Sequence, residues 1–107
     1  MLGQFDDTAT IVQGGAALKV TGPVTWDDDE FGAVIHARIK QNGVVGSGAS
    51  DFIRSTDTTW SATVYAHEGT FHEEAEIDVP ARASAQVSLN DGRMEPYNWD
   101  DEVALVD

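Results

Sequence analysis

The chain has no cysteine, so a disulfide framework, a thiolate metal site and a cysteine nucleophile are all excluded. It has only two lysines, Lys19 and Lys40, and six basic residues in all against nineteen acidic ones. The resulting formal charge of −13 repels phosphate backbones and anionic headgroups, which argues against nucleic acid and bare membrane as partners. No window approaches the roughly 20 apolar residues of a membrane-spanning helix. The opening Met1-Leu2-Gly3-Gln4-Phe5-Asp6-Asp7 has neither a basic nor an apolar signal region. A role outside a cell would then require prior removal of a signal, a larger exported chain, or release by lysis. Phosphate-binding glycine loops and a Gly-x-Ser-x-Gly elbow are missing too, and Gly46-Ser47-Gly48 lacks the elbow spacing.

What the chain does have is alternation. From Ala75 to Leu89 an apolar or small residue stands at almost every second position, with Glu76, Asp78, Pro80, Arg82, Ser84, Gln86 and Ser88 between them. Side chains alternate faces along a strand, so this period of two predicts extended chain with one dry face. Pro80 cannot donate a ladder hydrogen bond and predicts a bend, a bulge or an edge there. Ala33, Ile35, Ala37 and Ile39 form a second dry face, and Trp60, Ala62, Val64 and Ala66 a third. No segment carries a sustained 3.6-residue period with caps, so little helix is expected.

Turn chemistry sets the pairing. Asn42-Gly43 tolerates positive φ at both positions and predicts a type I′ hairpin in which Gln41 faces Val44, Ile39 faces Gly46 and Ala37 faces Gly48. Glycines opposite inward residues leave a gap, and Trp60 is the ring expected to fill it. Gly14-Gly15 and Asn90-Asp91-Gly92-Arg93 predict two further turns, Gly22-Pro23 a break, and Pro96 to Val106 the last strand. Pro23-Val24-Thr25-Trp26-Asp27-Asp28 echoes Pro96-Tyr97-Asn98-Trp99-Asp100-Asp101, two strand ends with an anchoring Trp and a charged exit. About seven strands result, and 107 residues suit a single domain spanning the whole chain, 1–107.

Trp60, Phe71, the alternating run, Asp91-Gly92 and the closing Tyr97-x-Trp99 with Val103-x-Leu105 resemble, over the last two-thirds of the chain, immunoglobulin-like domains of actinobacterial surface proteins and phage virion proteins. The resemblance implies an antiparallel immunoglobulin-like β-sandwich with a spacer, decoration or adhesion role. It carries over no catalytic residue. The inter-sheet disulfide of antibody-type domains is absent.

Two acidic runs are the metal candidates. Asp27, Asp28, Asp29 and Glu30, together with Asp100 and Asp101, offer the hard oxygen ligands that calcium takes, provided a sandwich brings both runs to one end. His67, Glu68, His72, Glu73 and Glu74 match no zinc spacing and predict a solvated loop pinned by Phe71. Trp26, Tyr65, Tyr97 and Trp99 are the aromatics available to stack on a sugar. With no convergent catalytic groups, the expected function is a non-catalytic structural or interaction module, a virion or surface protein that binds a protein partner or assembles with itself through a strand edge or an end. No cofactor is expected. The alternative is a calcium-dependent or carbohydrate-binding module.

Overall fold

The computed structural model of the protein describes residues 2–27, 30–89 and 94–107. Its strands are β1 (Leu2–Gly3), β2 (Thr8–Val12), β3 (Ala17–Thr25), β4 (Gly32–Gln41), β5 (Val44–Ala49), β6 (Ile53–Arg54), β7 (Thr59–Ala66), β8 (Ala81–Leu89) and β9 (Met94–Val106). A 3₁₀ turn at Gln13–Gly15 joins β2 to β3, and a single helical turn, α1 (Glu74–Ile77), precedes β8. The Asn90–Arg93 turn lies outside the described residues, as do the side chains of residues 94–100.

Hydrogen bonding runs β3-β2-β9-β8-β4-β5-β7 and returns to β3, so the sheet closes on itself as a seven-stranded barrel; β1 and β6 are short additions beside β3 and β4. The expected immunoglobulin-like antiparallel sandwich is therefore wrong. All the ring pairings are antiparallel except β2 with β9, which is parallel, matching Thr8 to Ala104, Ala9 to Leu105 and Thr10 to Val106. The reason is parity: strand direction cannot alternate all the way around a ring with an odd number of members. One parallel pair is obligatory, and here it falls where the first and last strands of the ring meet. Period-two sequence describes each strand equally well in a sandwich or a barrel, because both have one dry face.

Inside the ring Leu18, Val20, Ile35, Ile39, Val64, Val87, Val103 and Leu105 are buried and form one core. The β4 dry face and the β7 face both fall as read, with Ile35, Ala37, Ile39, Trp60, Ala62 and Val64 inward. The β4–β5 register is also as expected: Gln41 faces Val44, Ile39 faces Gly46 and Ala37 faces Gly48, across a turn in which Asn42 and Gly43 have φ of 48° and 84°. The gap over Gly46, however, is filled by Val64 and the ring of Phe71, whose Cζ lies 3.0 Å from where a Cβ would stand. Over Gly48 lies the Thr63 carbonyl of β7. Trp60 sits elsewhere, edge-on to Phe5 with ring centroids 5.4 Å apart, and its Nε1–H donates to the Gln4 carbonyl at 2.9 Å. Gly22 lies beside that contact, because a Cβ there would strike both the Gln4 carbonyl and the Trp60 indole. β3 accordingly runs unbroken through Gly22-Pro23 instead of stopping there.

The long alternating run divides in two. Ala81–Leu89 is a strand with every odd residue buried, but Ala75, Ile77 and Val79 belong to α1 and the link that follows it. Asp78 closes that turn in the left-handed region with φ 52°, and its N–H donates to the Glu74 carbonyl at 2.7 Å. Gln41 then fastens the link to the barrel. Its buried amide donates to the carbonyls of His72 and Val79 at 2.8 and 3.1 Å and accepts from the His72 N–H at 3.0 Å.

Candidate functional site

Strand directions place the β3–β4 and β5–β7 connections at one end of the barrel, and the segment from His67 to Pro80 at the other. The first end carries two phenylalanines on the outside. Phe31 is 73 % exposed and Phe52 56 %, whereas the other large apolar side chains of the described chain mostly pack inward. The two belong to one surface: the Phe52 ring lies over the backbone of Gly32, where it leaves no room for a Cβ, and the Phe31 carbonyl accepts from the Ser55 N–H at 2.9 Å. Gly32 is thus a glycine because an aromatic ring occupies the space beside its Cα. Trp26 borders the same end, half-buried, with Nε1–H donating to the Asp57 carbonyl at 2.8 Å. Asp27, Asp51 and Asp57 belong to the connections at this end and are exposed.

Neither phenylalanine was singled out in the sequence. Each follows an acidic residue, but Phe31 stands two positions before Ala33, in phase with the β4 dry face, so alternation alone gives no signal that it points outward; Phe52 lies outside every alternating run.

The calcium candidates are distributed unevenly. Asp27 and Glu30 meet at the aromatic end, where Glu30 Oε1 accepts from the Asp27 N–H at 2.8 Å and the Glu30 N–H donates to the Asp27 carbonyl at 3.1 Å. Glu30 is buried, and the main-chain N–H of Asp27 meets its carboxylate there. Asp28 and Asp29 lie outside the described residues. Asp100 and Asp101 are not in a loop but in β9, in register with Ser84 and Ala83. Ala83 lies six residues along β8 from Leu89, about 20 Å of strand below the aromatic end. Among the described residues no group of three or more His, Asp or Glu side chains is placed to hold a metal ion.

From His67 to Glu73 the segment is the loop expected, while Glu74 opens α1; Phe71 is buried and its N–H donates to the Gly15 carbonyl at 2.8 Å. His67 Nε2 lies 2.7 Å from Ser47 Oγ, the spacing of a nucleophile and its base. Both are exposed, and Ser47 sits inside a strand whose amides serve the ladder, so no pair of free N–H groups is aimed at a developing oxyanion. The pair makes a surface hydrogen bond. His72 and Glu76, 3.8 Å apart and both largely exposed, form a contact of the kind that contributes little. Of the aromatics considered for sugar stacking, Tyr65 is exposed on β7 and Trp26 is half-buried at the end; the Tyr97 and Trp99 side chains fall outside the described residues.

The fold and this end define an acidic, seven-stranded mixed barrel with an exposed aromatic patch. Comparison with family models, with curated proteins and with solved structures found no match.

Proposed function

We propose that the protein is a non-catalytic interaction module that docks a protein partner on the Phe31–Phe52 end of the barrel. The observation that carries this reading is the pair of phenylalanines held at 73 % and 56 % exposure at one end of the barrel, the Phe52 ring lying over the backbone of Gly32 next to Phe31, on a chain whose other large apolar residues mostly lie inside among the described residues. Covering two such rings releases roughly 2 kcal/mol or more apiece, the scale of a binding hot spot. The carboxylates at this end and the overall charge of −13 favour a basic partner surface and speed its approach. A virion decoration or structural protein, or a surface spacer or adhesion domain, is the setting in which such a module works.

Hydrogen exchange on the isolated chain and on its native assembly tests the reading. Amides of residues 26–27, 30–31 and 50–55 are expected to gain protection in the assembly, and Phe31→Ser to weaken association at least tenfold with an unchanged melting temperature. Protection gained only elsewhere, or full association of the Phe31→Ser chain, overturns it.

A further inference from the structure

Halfway along the barrel, on its outer surface, the three strands β5, β4 and β8 form a groove of about 550 Å³. Small residues make its floor, since Gly48, Ala49 and Ala85 have no side chain long enough to fill it. Its polar groups come from alternate, outward-facing positions in register. Arg38 stands between Ser47 on β5 and Ser84 on β8, and His36 between Ala49 and Gln86. One step further along β4, Lys40 faces Arg82 directly.

This distribution runs against the composition. The chain has nineteen carboxylate residues and six basic ones, yet on this face Arg38 and Lys40 of β4 have no carboxylate in register on either β5 or β8; the acidic positions begin one strand further out, on β9, where Glu102 is in register with Arg82 and Asp100 with Ser84. A cross-strand carboxylate opposite Arg38 would add roughly 0.2–1 kcal/mol of stability, and two like charges opposite each other cost a similar amount. Serines occupy the positions on both sides of Arg38 instead. Among the described residues the Arg38 guanidinium has no ion pair or hydrogen bond. Its five N–H donors are directed by no protein acceptor, in a concave site bordered by two hydroxyls and an amide.

We infer that the β5–β4–β8 groove binds a small ligand through an oxyanion, a carboxylate, sulfate or phosphate group, held by Arg38 between Ser47 and Ser84. The planar guanidinium matches two oxygens of such a group, and serine hydroxyls supply the out-of-plane donors. The 2.7 Å contact of Ser47 with His67 fits this use: when His67 donates through Nε2–H, the Ser47 hydroxyl keeps its own proton for the ligand. His36, 3.1 Å from Ser88 through Nε2, lines the far side of the groove beside Gln86. The site is separate from the aromatic end, so it stands or falls independently of the partner reading.

Backbone amide NMR of the full chain, titrated with citrate, with sulfate and with inorganic phosphate against sodium chloride at matched ionic strength, tests the inference. Saturable shifts are expected at residues 36–38, 47–49 and 84–86 with at least one of the three anions and not with chloride; which anion saturates identifies the oxyanion. R38Q should weaken that binding about tenfold, and R38K less, because the charge survives without the fork. S84A provides a second loss without a change of charge, and R54Q, a basic residue on β6 away from the groove, should bind as the parent does. Shifts that stay linear in every salt, or an equal loss in R38Q and R54Q, overturn the inference.

Discussion

Gln41 shows how much one side chain can hold. It ends β4 and is only 2 % exposed, and all three of its hydrogen bonds reach the main chain of a segment more than thirty residues away. Each such bond is worth about 1 kcal/mol net, and a buried carbonyl or N–H left without a partner costs more. Gln41→Ala is therefore expected to lower unfolding free energy by about 2–4 kcal/mol in urea titration. Trp60 separates two contributions in the same way. Trp60→Ala should cost about 3–5 kcal/mol as the indole leaves a cavity, while Trp60→Phe should cost about 1 kcal/mol, mainly the bond to the Gln4 carbonyl. An unchanged melting temperature in the alanine variant would refute its place in the core. That Trp60 is buried was legible from its strand face; that Phe5 and Gln4 bury it was not, because no local pattern links residues more than fifty positions apart.

β5 and the segment before β8 show what decides an element. β5 carries glycine at two of its six positions, and Gly48 is required because the Thr63 carbonyl of β7 passes where a side chain would begin. Gly48→Ala should destabilise by about 1–3 kcal/mol through overpacking. Gly43→Ala, with open space around it but φ of 84°, should cost only about 1 kcal/mol. Equal effects in thermal melts would mean that backbone conformation, and not the approach of β7, sets both glycines. Residues 75–79 had the alternation of a strand and became a helical turn, since five residues of pattern are outweighed when no neighbouring strand is available to pair them. Pro80 marks the change, standing just before β8 instead of bending a continuous strand.

At the scale of the whole molecule the barrel is only as closed as its parallel seam. Three residue pairs of register join β2 to β9, and Leu105 is buried beneath them. Leu105→Ala is expected to cost about 2–5 kcal/mol, and removal of residues 104–107 to expose the core at that seam, seen as dye binding and rapid exchange in β2. The charge of −13 acts across the whole surface, so melting temperature should rise with sodium chloride as screening shortens the repulsion. Calcium chloride at matched ionic strength should give the same rise. A larger, saturating increase in calcium would reveal a cation site.

The sequence by itself determined which residues face inward on β4, β7 and β8, the hairpin at Asn42-Gly43 and its register, and the acidic surface, because each of these is set by neighbours one or two positions away. Only the tertiary structure decided that the sheet closes, that the first and last strands of the ring run parallel, that Phe71 fills the space over Gly46, and that Phe31 and Phe52 are left exposed with the Phe52 ring over Gly32. A period of two records that a strand has a dry face. It does not record what lies on the other side of that face, and that choice separates a sandwich from a barrel.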